Sequence, residues 1–389
     1  MLLLTLALAA PTVAPTPVEN PQALRPWFDA LRRTAAGEGV TRALHYGDST
    51  IACDGIAHTV RERLAAQFGD AGPGFITASF DPRWHARSDV SAKKSGDWTL
   101  KTILFGGASG RYGLGGIVGI ARSASATVRA ISRLVPTSTI RQQIAEVWYQ
   151  SGVGYGTVWA KADGIEVIRV SAAGAATGDQ RATVRIPAGF ESVTFGATGV
   201  VPFYGLVLET GAPGTTWESL GVVGVGSKSF TTFAGAALAE QTTLRDPDLI
   251  VVQIGGNEAG YPSLLGQGGV QYRPTFESGL TTILAGAPDA ACLVVSPLDQ
   301  GAVDELTLLA ASKPGMPNLV AQQRAVAIDA GCAFWDGYGA MGGKGSALIW
   351  ANARGLGTGD YVHLTGAGLE KIGGALADAL LQAYATDSG

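Results

Sequence analysis

The stretch ALHYGDSTIACDG (residues 43–55) decides the fold. The apolar run TRALHY stops abruptly at Gly47-Asp48-Ser49, and GIAHTVRERLAAQFG follows with Ile56, Val60, Leu64 and Phe68 on one helical face. Strand, sharp turn and helix in that order place Ser49 at the carboxyl end of a strand, where open α/β sheets build their sites. The N-terminal N–H groups of the helix would then face whatever Ser49 attacks. The turn is not a G-x-S-x-G elbow, because Ile51 stands where that motif has its second glycine. On these residues alone a turn hydroxyl is at least as good a reading of Ser49 as a nucleophile.

The same texture returns from about residue 245. DLIVVQI and ACLVVSP are continuous apolar runs, as strands buried on both faces require. Helical segments lie between and after them: TFESGLTTILAGA, LVAQQRAVAIDAG and TGAGLEKIGGALADALLQAY. The last carries Leu369, Ile372, Leu376 and Leu380 at helical spacing behind Thr365 as N-cap. This alternation predicts a parallel sheet covered on both faces, an α/β/α architecture of three layers. The middle differs. From 100 to 213 come short alternating runs such as TVRAISRLV, IAEVWYQS, GTVWAKA and GIEVIRVSA, with Asp163-Gly164 as a two-residue hairpin signal. They predict an all-β sandwich inserted at 100–213 between an α/β first part (17–99) and second part (214–389). Trp148, Tyr149, Tyr155 and Trp159 of that insert are candidates for stacking on sugar rings, against a commoner place in its core.

A formal net charge of -4 with scattered charges gives no electrostatic case for nucleic acid or an anionic membrane as partner. The N-terminus, MLLLTLALAAPTVAPTP, holds an apolar run too short to span a bilayer but of the length of a signal-peptide core, with small residues at Ala9 and Ala10. It lacks a positive n-region. Residues 1–16 are read as a signal peptide, the protein as exported to a periplasmic or extracellular space, and no membrane-integral segment is expected after its removal. Cys53, Cys292 and Cys332 fit no zinc or redox spacing, and buried free thiols are the expectation.

A serine nucleophile needs a base, and there are four histidines. His45 lies in the strand before Ser49, His58 on the helix after it and His85 in DPRWHAR, all better suited to packing or surface roles. His363 stands in GDYVHLTGAG, three residues after Asp360, so that the carboxylate can fold back onto Nδ1 and fix the tautomer. In VVQIGGNEAG, Asn257 falls at another carboxyl strand end, where its amide could donate to an oxyanion or merely tolerate a left-handed turn. SLGVVGVGS supplies glycine N–H groups that approach without a side chain in the way.

In this order, the four segments resemble the SGNH hydrolases, the GDSL-like esterases. The resemblance matches Ser49 to the nucleophile of the first block, Gly224 to the backbone donor of the second and Asn257 to the third. Asp360 and His363 match the Asp-x-x-His of the last block. Within the family the chain is most similar to bacterial peptidoglycan O-acetylesterases with an inserted carbohydrate-binding-like β-sandwich, through HYGDST, GNEA and DYVHLTGAG. Thr50 stands where many relatives have His, Val223 precedes Gly224 where Asn is common, and Gly221 and Gly226 compete with Gly224.

The resemblance implies a flavodoxin-like α/β fold. It also implies attack by Ser49 on an ester of an O-acylated glycan, proton transfer through His363 and Asp360, and an oxyanion hole of Ser49, Gly224 and Asn257. No metal or cofactor is implied, and the oligomeric state is open. An O-acyltransferase, a lipase or general carboxylesterase, and a non-catalytic glycan-binding protein stay open as alternatives.

Overall fold

The computed structural model describes residues 11–387 apart from 80, 82, 84, 106–109, 133–140, 235, 261–271, 304–307 and 354. Its centre is a five-stranded sheet in the spatial order Gly214–Gly221, Val40–Gly47, Leu249–Gln253, Ala291–Val295, Ala333–Trp335, every pair parallel. In chain order this is 2-1-3-4-5, the flavodoxin-like arrangement, whose direction of winding reverses between the first and third strands.

Alternation along the strands fills two cores. Ala43, Val251 and Leu293 pack with Trp27, Val60 and Leu376 of helices Arg25–Ala35, Gly55–Phe68 and Gly366–Thr386. Leu44, Tyr46, Ile250 and Val252 face the other way, onto Leu238, Phe276 and Leu319 of helices Ala237–Arg245, Tyr272–Leu284 and Met316–Asp329. The sequence reading of a parallel sheet covered on both faces describes this body.

The remaining strands form two larger antiparallel sheets and one small hairpin. One sheet runs Gly178–Phe190, Gln142–Ser151, Val201–Glu209, Ile117–Ala121, Trp98–Thr102, with Gly74–Thr77 paired on Val201–Glu209. The other runs Val90–Ser95, Thr127–Ser132, Ser192–Thr198, Thr157–Ala162, Ile165–Ser171. Val147, Phe203 and Leu206 of the first share a buried cluster with Val128, Val158 and Phe195 of the second. In the central strands of the first sheet the opposite face is buried too. Phe75, Trp148, Tyr204 and Val207 enter the same cluster as Leu44 and Tyr46 of the parallel sheet.

Two expectations change, and the commoner reading of two aromatics holds. Antiparallel pairing begins at Gly74 rather than near residue 100, because GFIT, VSAKKS and WTLKT are too short or too polar to read as strands. Trp148 and Tyr149 are 1% and 6% exposed and point into opposite cores, so neither can stack on a sugar; Tyr155 and Trp159 are half-buried. Finally, Cys292 and Cys332 form a disulfide with Cα atoms 4.7 Å apart, and Cys53 is a free, exposed thiol. Register explains the pair: Leu293 lies opposite Ala333, so the preceding residues are neighbours. Of the stretch read as a leader, residues 1–10 lie outside the described residues. Among the described residues no helix is long and apolar enough to cross a membrane.

Candidate active site

Ser49 opens the short helix Ser49–Ala52 directly after the first strand. The turn is tight because Ile51 folds back over Gly47: a Cβ there would lie 2.3 Å from Ile51 Cγ1. Asp48 caps the turn, its Oδ1 accepting from Thr50 N at 2.9 Å. Burial raises the pKa of this carboxyl, opposed by the backbone and side chain of Thr50 and by the charges of His363 and Lys313. Its place is that of a turn organiser.

The loop before the last helix brings His363 to Ser49 across 314 positions of sequence. Ser49 Oγ lies 3.0 Å from His363 Nε2, and His363 Nδ1 lies 2.7 Å from Asp360 Oδ2. With the proton on Nδ1, the serine hydroxyl donates to Nε2 and the ring donates to the carboxylate. The other carboxylate oxygen is fully engaged. Asp360 Oδ1 accepts from Val362 N and His363 N, both at 2.9 Å, and from the Thr358 hydroxyl at 2.6 Å. Burial of the carboxyl pushes the other way, but these donors together hold its pKa well below the ordinary carboxylate range. The chain manages this close return through Tyr361, whose φ is +59°.

The other three histidines do not reach Ser49. His45 is fully buried, accepts from Trp217 Nε1 at 3.2 Å, and burial lowers its pKa to about 3. His85 Nδ1 sits 3.1 Å from the Gly221 carbonyl, buried and lowered to about 4, so it donates there as a neutral ring and braces a strand end. His58 Nε2 lies 3.4 Å from Glu62 on its own helix.

Asn257 lies just past the third strand, beside the Val222–Gly226 turn that follows the second. Its Nδ2 donates to the Val225 carbonyl at 2.8 Å, which uses one of the two amide hydrogens. Gly224 has φ +83°, a left-handed conformation that favours glycine at this position over its neighbours. Gly221 instead ends the strand against Ile51 and Ala52, and Gly226 abuts the Glu258 carboxyl. Glu258 is a residue that sequence reasoning passed over. Its Oε1 accepts from Ser227 N at 2.5 Å, fastening the glycine turn to the Asn257 turn from beneath. Burial, reinforced by the negative charge of Asp48, raises its pKa. Its only sequence signal was the acidic residue after Asn in GGNEA.

A cleft of about 590 Å³ opens beside Ser49 and His363, lined among others by Thr50, Cys53, His58, Glu62, Leu298 and Glu370. Among the described residues no cluster of His, Cys, Asp and Glu is arranged to hold a metal. Ser49, His363 and Asp360 thus form a chain of hydrogen bonds able to deprotonate the hydroxyl. The chain lies at the carboxyl ends of the strands where the winding reverses, beside the turns that carry Gly224 and Asn257.

No family profile and no curated protein matches the sequence. Solved structures do match. A peptidoglycan O-acetylesterase superposes with a TM-score of 0.79 at 21% identity, covering 95% of this chain and 99% of its own. A family two carbohydrate esterase from Clostridium thermocellum, solved with cellohexaose, matches at TM-score 0.30 and 11% identity over 72% of this chain and 97% of its own. An acetyl-xylooligosaccharide esterase from Geobacillus matches at 0.32 and 18% over 45% and 75%. The last two superpose too loosely to bear on the fold. Nearly end to end, then, this chain has the fold of a peptidoglycan O-acetylesterase.

Proposed function

We propose that the chain is an SGNH-type serine esterase that removes short acyl groups, O-acetyl foremost, from carbohydrate, with peptidoglycan as the substrate. The observation that carries this is the unbroken Ser49–His363–Asp360 hydrogen-bond chain. Its setting in the fold of a peptidoglycan O-acetylesterase directs the choice of ester.

In this mechanism His363 Nε2 takes the proton as Ser49 Oγ attacks the ester carbonyl, and Asp360 stabilises the imidazolium. The oxyanion is received by the N–H groups of Ser49 and Gly224 and by the Asn257 amide hydrogen not engaged with Val225. His363 returns the proton to the departing sugar hydroxyl. It then activates a water that hydrolyses the acyl-serine, so ester and water become acid and alcohol. We further propose that the two antiparallel sheets are an inserted carbohydrate-binding-like β-sandwich, beginning near residue 74 and ending at 213. Export to a periplasmic or extracellular space is part of the same reading, and the Cys292–Cys332 disulfide suits an oxidising compartment.

The test is release of p-nitrophenol from acetate, butyrate and octanoate esters, followed by acetate release from O-acetylated peptidoglycan, with Ser49→Ala beside the wild type. Activity greatest on acetate and abolished in the variant is the expected result. Equal inertness of both proteins on every ester would overturn the reading.

A further inference from the structure

Two glycines precede Asn257, and Gly255 has φ +125°. Backbone this permissive does not hold an amide donor in place by itself. Contacts outside the segment have to fix it: the Val225 carbonyl and Ser227 N–H hold Asn257 and Glu258 from one side, and a lysine holds the peptide that precedes them. Lys313 Nζ donates to the Gly256 carbonyl at 3.1 Å and to Gln300 Oε1 at 2.6 Å. The Gly256 oxygen and the Asn257 N–H belong to one planar peptide, so pinning that oxygen sets the plane from which the Asn257 side chain departs.

The lysine is itself well seated. It follows the small hairpin Gly301–Val303/Ala310–Ser312, and its own N–H donates to the Gln300 carbonyl at 2.7 Å. The hairpin base is tied to the body by buried Asp299, which accepts from Ser312 Oγ at 2.7 Å and from Ala347 N at 3.0 Å. At its other corner, Gly301 N donates to the Tyr361 carbonyl at 2.7 Å, inside the Asp360–His363 loop. One hairpin therefore touches both halves of the machinery. The ammonium makes no ion pair among the described residues. Burial lowers its pKa, opposed by the charge of Asp48 across the site.

We propose that Lys313 is a positioning residue of the esterase: it pegs the Gly256–Asn257 peptide so that the Asn257 amide meets the oxyanion. This rests on the esterase reading and goes beyond it, since neither the sequence motifs nor the fold likeness assigns a role to Lys313. It is not a catalytic residue, because it acts through Asn257. Its loss therefore weakens the transition state without weakening binding of the ground-state ester, and lowers kcat rather than raising KM.

The test is a double-mutant cycle on p-nitrophenyl acetate with wild type, Lys313→Met, Asn257→Ala and the pair, each checked for its melting temperature. Loss of an oxyanion donor lowers kcat by about 10²–10³-fold, so losing its peg lowers kcat by about 10–10²-fold, with KM within about twofold. In the Asn257→Ala background Lys313→Met then changes kcat by less than about threefold, because the group it positions has gone. Lys313→Gln, which keeps a neutral donor near the Gly256 carbonyl, falls between the two and carries the same comparison should the Met variant not fold. An unchanged kcat in Lys313→Met, a loss that appears in KM, or effects that multiply in the pair overturns the proposal while leaving the esterase reading intact. An inert wild type overturns both.

Discussion

Replacing Asp360 by Asn changes almost no volume, yet the loop decides which way the new amide must face. Its oxygen has to occupy the Oδ1 position, where the N–H groups of Val362 and His363 converge at 2.9 Å. Turning it over would leave two backbone donors facing an NH₂, at about 1 kcal/mol for each lost hydrogen bond, or about a 30-fold preference against the flip. The NH₂ therefore faces His363 Nδ1, where the carboxylate oxygen stood at 2.7 Å. Nδ1 becomes the acceptor, the ring proton moves to Nε2, and Nε2 no longer takes the proton of Ser49. Loss of the carboxylate also removes its attraction for the imidazolium, about 2 kcal/mol at about 4 Å for a site intermediate between surface and water. Together these amount to about 4 kcal/mol, or about 10³-fold in kcat. The assay is kcat and KM on p-nitrophenyl acetate, with the melting temperature as a control on folding. A folded Asp360→Asn variant within tenfold of wild-type kcat would refute both the tautomer argument and the assignment of His363 as base.

Two further outcomes concern stability. The Cys292–Cys332 bridge closes a loop of 40 positions, and its reduction, or Cys292→Ser with Cys332→Ser, should remove about 4 kcal/mol from the denaturant-unfolding free energy; an unchanged midpoint under reductant contradicts this. Against burial, which raises both, Arg245 and Arg42 hold Glu209 at about 2, below its ordinary 4.5, and Arg61 and Arg87 hold Asp89 below the ordinary carboxylate range. Folded-state pKa values below the unfolded ones give stability that is present above about pH 4.5 and lost as pH falls towards 2. The melting temperature should drop across that window and drop less in Glu209→Gln, and parallel curves for the two proteins would count against the Arg245–Glu209–Arg42 network.

Much of this site was legible because it is local. Strand, Gly-Asp-Ser turn and helix are contiguous, and Asp360 and His363 are three residues apart, so spacing and periodicity suffice to suggest them. What connects the segments was not legible. Cys292 and Cys332 meet only through the register of two neighbouring strands, and no pattern in their flanks reveals it. Glu258 and Lys313 act through backbone groups 31 and 57 positions away, and a backbone partner carries no side-chain signature. The antiparallel strands near residue 74 were missed because two or three core-facing residues set no period. Trp148 and Tyr149 were ambiguous for the opposite reason. Neighbouring aromatics on a strand point to opposite faces, and the sequence looks the same whether the second face meets a core or solvent.

The doubly buried sheet has an evolutionary consequence. Where the chain leaves the parallel body and where it returns are adjacent, with Thr215 N donating to the Gly69 carbonyl at 2.9 Å. That geometry would let a gene acquire or shed the whole excursion by a single recombination. Yet Phe75, Trp148, Tyr204 and Val207 now complete the core around Leu44 and Tyr46. A lineage that lost the excursion would uncover that apolar surface and would need new polar residues over it before the shorter protein stayed in solution. Leaving and rejoining the parallel sheet at one place makes such an excursion topologically easy to gain, and the shared core makes it hard to lose, so the two parts are expected to be inherited as one piece.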